Sequence, residues 1–266
     1  MHWIINAGLR RETGFFALMD QIERQGQAHT LVHKPPLVEY LVDPEDPVDS
    51  DGRPKPYTLP PIAGPAYVVG TVSMKAISLA HGWTPGFIDA PSNREAFSAW
   101  DGHMLNGDAT FVQLGDVVAP ATRFFIRPDA DYKGMPGKVM EPERFDAWRA
   151  NAIADPVLPI SADLEVMVAP LRPIWSEYRC IVIDGRYVTG SRYKLGGVAG
   201  YSPDVGDRIV RFVEERIAEW NPRLGLAIDV ADTPDGLKVI ETNAISSAGF
   251  YAIDMARYVT AIAALG

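Results

Sequence analysis

Phe15, Leu18, Met19 and Ile22 recur at helical spacing, with Thr13 as a capping residue before them and Gly26 after, and predict a first helix over 13–25. Trp3-Ile4-Ile5 reads as a short strand before it. Thr30-Leu31-Val32 and the run Val38 to Val42 read as strands after it. From 43 to 65 the periodicity is lost among prolines, aspartates and glycines. This is a loop with extended pieces, because proline lacks the N–H that a helix or central strand needs. Ala66 to Gly70 is then a buried strand, and Ser73 caps a helix carrying Met74, Ile77 and Ala80, which makes a βα unit. Ser92-Asn93-Arg94-Glu95 has the spacing of a capping box, so another helix runs through Trp100.

The second half is more regular. Arg123 to Arg127 is a strand, followed by a polar, glycine-containing loop to Gly137. Glu141 to Ala150 is a helix with Pro142 in its first turn, and Asp163 to Ala169 is a strand. Glu177 to Ile183 and Arg186 to Tyr193 form a hairpin about the two-residue turn Asp184-Gly185. Val210, Val213, Ile217 and Trp220 mark a helix at 207–220. Leu226 to Ala231 and Leu237 to Thr242 make a second hairpin around Thr233-Pro234-Asp235-Gly236, and a final helix runs from about 251 to 264.

Composition narrows the class. The 266 residues are 47% hydrophobic and 10% aromatic, enough apolar surface for a globular core. Acidic residues outnumber basic ones, 34 to 25, for a formal charge of −9, which argues against a nucleic-acid partner. A single cysteine, Cys180, excludes a disulfide framework and points to a reducing, cytoplasmic compartment. Met1 to Arg11 holds no apolar targeting segment, and no stretch approaches a membrane span. The five histidines lack zinc-binding spacing, and Ser246-Ser247-Ala248-Gly249 lacks a nucleophile-elbow context. Neither a Walker A loop nor a G-x-G-x-x-G occurs.

The strongest chemical signal lies on the second hairpin. Glu241 and Asn243 are two apart and leave the same face of their strand. A hairpin symmetric about Asp235 sets Asp229 opposite Glu241, so three oxygen-bearing side chains converge within about 5 Å. Both carboxylates interrupt apolar strands, Leu-Ala-Ile before Asp229 and Lys-Val-Ile before Glu241. Either they are solvated hairpin residues, or they face the interior and hold a hard divalent cation, which takes such oxygen ligands. On the first hairpin the same counting sets Glu177 opposite Arg192 and Arg179 opposite Gly190. That is either one surface ion pair or a charged wall facing phosphate, with Lys194 ending the strand. Arg127, Lys133 and Lys138 surround a loop containing Gly134 and Gly137 that can fold over a polyphosphate, or simply be solvated. Cys180, mid-strand, reads as a packed thiol.

Taken in order, these segments resemble an ATP-grasp protein. GLAIDVADTPDGLKVIETNAISSAGFY (225–251) is similar to that family's metal-binding hairpin. EYRCIVIDGRYVTGSRYKLGG (177–197) resembles the Asp-x-Arg strand of its glutamate-ligase branch, with Glu177 in the acidic position. FFIRPDADYKGMPGKV (124–139) resembles a phage and bacterial clade in which a nucleotide-contacting lysine has relocated.

The resemblance implies an α+β fold with two lobes gripping ATP. A pre-ATP-grasp region would occupy 1–115 and the ATP-grasp domain 116–266, its small lobe about 120–168 and its C-terminal lobe 169–266. It implies that Asp229, Glu241 and Asn243 hold Mg²⁺, with Mn²⁺ as the alternative. Arg127 with Lys133 or Lys138 would meet the phosphates, and their loop would act as a lid. The backbone of Val166, Met167, Val168 and Ala169 would take the adenine edge, with Met167 against the ring. Glu177 and Lys194 would lie on the nucleotide side, and Arg179 and Arg192 at the reacting acyl phosphate or substrate carboxylate. The implied activity is ligation of a small-molecule or peptide carboxylate to an amine or other nucleophile. A kinase or nucleic-acid end-modifying enzyme, or a nucleotide-binding module without turnover, are the alternatives.

Overall fold

The computed structural model describes residues 1–35, 38–129, 135–157 and 160–266. β1 (His2–Asn6), β2 (Ala28–Val32), β3 (Ala66–Val69) and the two-residue β4 (Pro85–Gly86) form a parallel sheet in the order β2-β1-β3-β4. Alternation along β1 sends Trp3 and Ile5 to one face and Ile4 to the other. Trp3 and Ile5 pack on α1 (Phe15–Arg24) and α6 (Met255–Ala263), while Ile4 packs on α2 (Met74–Ala80). Both faces of the sheet are therefore covered, as parallel sheets require.

A second, antiparallel sheet has the order β5-β8-β6-β7, from β5 (Thr110–Gln113), β6 (Phe124–Pro128), β7 (Lys138–Met140) and β8 (Glu165–Pro170). Phe124, Ile126, Val166 and Val168 face α4 (Pro142–Ile153), where Phe145 is fully buried. The intervening residues Phe125 and Arg127 face the other way, into a cleft. The third sheet, in the order β11-β10-β9-β12-β13, comprises β9 (Ser176–Ile183), β10 (Arg186–Leu195), β11 (Val198–Ser202), β12 (Gly225–Thr233) and β13 (Gly236–Asn243). Cys180, Val182, Ile228 and Val230 pack on Ile209, Phe212, Val213 and Ile217 of α5 (Asp207–Glu219). The opposite face divides in two. Ile181, Ile183 and Ala227 pack into the core that α1 and α6 share with the parallel sheet, and Glu177, Arg179, Asp229 and Glu241 face the cleft.

Local signals account for some element ends. Ser92 and Glu95 form the reciprocal capping box of α3 (Asn93–Ala99). Asp184 and Gly185 turn the β9–β10 hairpin with φ of 50° and 68°, the positive values its tight turn needs. Several expectations are corrected. Thr13 does not cap α1: Gly14, at φ 91°, occupies the N-cap, where a side chain would meet Phe250. Ser73 precedes α2 but makes no cap bond, its hydroxyl instead meeting that of Thr71. No strand runs over the described residues of 38–42; Val42 alone bridges to His33 and Pro56.

The hairpin registers carry the most consequence. β9 and β10 begin in the symmetric register, then slip at two bulges, so Ser191 faces Arg179, Arg192 faces Tyr178 and Lys194 faces Glu177. The expected Glu177–Arg192 and Arg179–Gly190 pairs therefore do not form. In the other hairpin Thr233 pairs with Gly236, one residue out of the symmetric count, and a bulge beside Asp229 restores the Asp229–Glu241 pair.

Candidate active site

A cleft of about 750 Å³ lies between the second and third sheets, its floor formed by β9, β10, β12 and β13. Asp229, 1% exposed, is placed on the floor by β12. Arg179 on the adjacent strand donates Nε and Nη2 to its two carboxylate oxygens, both at 2.8 Å, a bidentate pair. Burial works to lower the Arg179 pKa, but the charge and hydrogen bonds of Asp229 prevail and raise it. Its Nη1 reaches the Gly249 carbonyl at 3.3 Å. Asn243 Nδ2 lies 3.4 Å from Asp229 Oδ2 and 3.2 Å from Glu241 Oε1. Glu241 is in turn paired with Arg127, which reaches it from β6 in the opposite sheet.

On the β10 side the Tyr193 hydroxyl donates to Glu177 Oε2 at 2.8 Å and also lies 3.4 Å from Asp229 Oδ2. Burial, with the neighbouring carboxylates, pushes the Tyr193 pKa far up, so the phenol keeps its proton. Lys194 Nζ completes the Glu177 environment at 3.1 and 3.2 Å. The ring of Tyr193 stacks on Tyr251, with centroids 4.9 Å apart and planes 17° from parallel. Tyr251 lies 5.3 Å from Tyr201 in turn, and the Arg179 guanidinium sits 5.0 Å over the Tyr251 ring. An apolar wall of Phe125, Val139, Leu171, Ile174 and Ile240 forms another part of the cleft.

The donor set suits a hard divalent cation. Among the described residues no three His, Cys, Asp or Glu cluster, so Asp229 and Glu241 need the amide of Asn243 as third donor, turned to present its oxygen. All three meet at one point, and a cation there would replace Arg127 as the partner of Glu241.

The expected site residues are thus partly united. Asp229, Glu241, Asn243, Arg127, Arg179, Glu177 and Lys194 all line the cleft. Arg192 does not: the bulge between Tyr187 and Thr189 shifts the register before it and leaves its side chain on the Tyr178 face, away from Asp229. Lys138 also turns away, its ammonium 4.8 Å over the Trp148 ring of α4. Lys133 lies outside the described residues, as does the middle of its loop. The backbone of Val166 to Val168 is occupied on both sides, by β5 and β6, and Ala169 is paired with β6 alone, so an adenine edge finds no free strand before Ala169. Met167 shares the face of Arg127 but is buried behind the cleft wall. The unpaired backbone starts beyond Pro170, where Leu171, Arg172 and Ile174 line the cleft. The three tyrosines carry no sequence signal of a site. Tyr193 reaches the floor because the bulge between Tyr187 and Thr189 shifts the strand by one residue from the count set by the turn, and Tyr251 owes its place to a loop conformation at φ 51°.

Residues 45–262 match a family model described as an ATP-grasp domain, the third family of its clade. No curated protein matches the chain. Among solved structures, the D-cycloserine synthetase DcsG is similar at a TM-score of 0.61 and 12% identity, covering 100% of this chain and 99% of that one. The D-alanine–D-alanine ligase from Bacillus anthracis is similar at 0.58 and 8%, over 98% and 92%. The ATP-grasp ligase PsnB, complexed with minimal precursor, Mg and ADP, is similar at 0.51 and 13%, over 99% and 97%. At these identities the likeness is one of fold, and it extends over nearly the whole of each chain. With the family match spanning most of the sequence, the chain belongs to the ATP-grasp proteins.

Proposed function

We propose that the protein is an ATP- and Mg²⁺-dependent ligase that activates a carboxylate as an acyl phosphate for attack by an amine or another nucleophile. The observation that carries this reading is the meeting of Asp229, Glu241 and Asn243 on the cleft floor, with Arg127 opposite them and an apolar wall alongside. ATP and Mg²⁺ are the cofactors of this chemistry, and the metal, when bound, neutralises the triphosphate. Asp229, Glu241 and Asn243 hold that metal. Arg127, once its pair with Glu241 opens, turns to the phosphates. The unpaired backbone from Leu171 to Ile174 takes the base edge, with Phe125, Val139 and Ile240 against its faces. Arg179, with both carboxylate-facing nitrogens on Asp229, is a positioning residue that fixes the metal-binding carboxylate. The partners are a small-molecule or peptide carboxylate and a nucleophile.

Glu241→Gln tests the centre of this reading. It removes a charge while keeping size and strand fit, and Glu241 and Arg127 are each partly exposed, so folding survives. Turnover should fall about 10²-fold or more, the scale of deleting one electrostatic partner of a transition state. Thermal melts with Mg²⁺ and an ATP analogue should show a large ligand-induced gain for wild type and a small one for the variant. Equal shifts would remove Glu241 from the site. Trapping of an acyl phosphate with hydroxylamine supports ligation, whereas a stable phosphorylated product would make the enzyme a kinase.

A further inference from the structure

The β10–β11 end of the cleft presents rings rather than charges. Tyr193, Tyr251 and Tyr201 follow one another from the floor to the mouth, and Tyr201 at the outer end is 51% exposed, so its ring still has a face to offer. Ala199, two residues earlier on β11, also lines the cleft there and leaves room beside that ring. Tyr251 is held at φ 51°, a left-handed conformation that a bulky side chain adopts only where its surroundings impose it. The cations of this wall are already committed among the described residues, Arg179 to Asp229 and Lys194 to Glu177. A second carboxylate on a substrate would have to compete with Asp229 and Glu177 for these cations, whereas a flat ring meets the open ring of Tyr201, itself tilted 32° against Tyr251.

We propose that this end of the cleft receives an aromatic ring borne by the carboxylate substrate, stacked on Tyr201 in series with Tyr251. The proposal rests on the ligase reading and names the class of acid it uses. The ring could belong to a free aromatic acid or to an aromatic residue at the end of a peptide, and the chemistry recognised is the same.

The test is binding, measured by calorimetry with Mg²⁺ and AMPPNP present. The probes are N-acetylphenylalanine, its cyclohexyl analogue, N-acetylglutamate and a tripeptide ending in phenylalanine. The flat ring should bind about 3- to 10-fold tighter than the equally bulky cyclohexyl ring, the scale of one aromatic contact. Tyr201→Ala should abolish that preference and Tyr201→Phe should keep it. Tyr201 is half exposed, so neither change threatens the fold. Tighter binding of the tripeptide than of the acetylated amino acid supports the proposal with a peptide source, and the reverse supports it with a free acid. Equal binding of the two rings, tightest binding of the glutamate, no binding of either aromatic probe, or a preference that persists in Tyr201→Ala would each overturn it. A Tyr201-dependent ring preference with no hydroxamate formed from any acid would count against ligation and leave the ring site standing.

Discussion

Asp229 and Glu241 are both carboxylates of the same cluster, yet removing them should have different costs. Asp229→Ala strips a buried guanidinium of its bidentate carboxylate partner, and leaving such a charge uncompensated costs about 3–5 kcal/mol. Glu241→Ala opens a partly exposed pair and should cost about 1 kcal/mol or less. Urea denaturation of the two variants without ligand checks the contrast, and similar losses would contradict the geometry. Tyr193→Phe isolates the hydroxyl that joins Glu177 to Asp229 while keeping the ring on Tyr251. The fold should hold, and Mn²⁺ affinity in the presence of AMPPNP, measured by electron paramagnetic resonance, should fall about 10-fold, the scale of one hydrogen bond to a charged group. Unchanged Mn²⁺ affinity would make that hydroxyl merely structural.

At the scale of elements, what the sequence discloses depends on whether the signal is local. The capping box of α3, the Asp184-Gly185 turn and the alternation of β1 are local, and each element formed where its residues indicated. Asp229 and Glu241 were legible because carboxylates interrupting apolar strands have few bland explanations. The bulges were not legible, since an extra residue is fixed by packing between strands, and one slip moved Arg192 off the cleft and brought Tyr193 onto it. Lys138, expected in the loop, lies instead in the short strand β7, whose pairing with Ile126 turns it toward α4, where Trp148 takes its charge. Lys138→Ala should therefore alter Trp148 fluorescence and leave ATP-analogue affinity within about twofold of wild type, because it removes a cation–π contact outside the cleft. A large loss of affinity would return this lysine to the phosphates. Ser92→Ala should lower stability by about 1 kcal/mol through loss of the α3 cap, measured by thermal melting.

In the whole molecule, the helical layer of α1 and α6 joins the parallel sheet to the third sheet, so the strands that carry the cleft floor share one hydrophobic cluster with the N-terminal core through Ile181, Ile183 and Ala227. Within it the hydroxyls of Tyr67 and Tyr258 are hydrogen-bonded at 2.9 Å in full burial. Burial raises the pKa of both, that of Tyr67 to about 12 from an ordinary 10. Their contribution is intact below pH 10 and is lost as pH rises from there toward the folded values, because the unfolded chain ionises first. Melting temperature should decline above pH 10, and less steeply in Tyr67→Phe; equal slopes would show that this phenol does not set the alkaline limit.

The salt bridge that crosses the cleft has a consequence for the order of events. Glu177, Asp229 and Glu241 face Lys194, Arg179 and Arg127, so these six side chains balance one another before any ligand arrives. A metal ion entering alone would part Arg127 from Glu241, and a nucleotide entering alone would crowd its phosphates against Glu241. Arriving together, each supplies the counter-charge that the other displaces. The site should thus behave as a coincidence detector, with metal and nucleotide each raising the affinity of the other by the same factor.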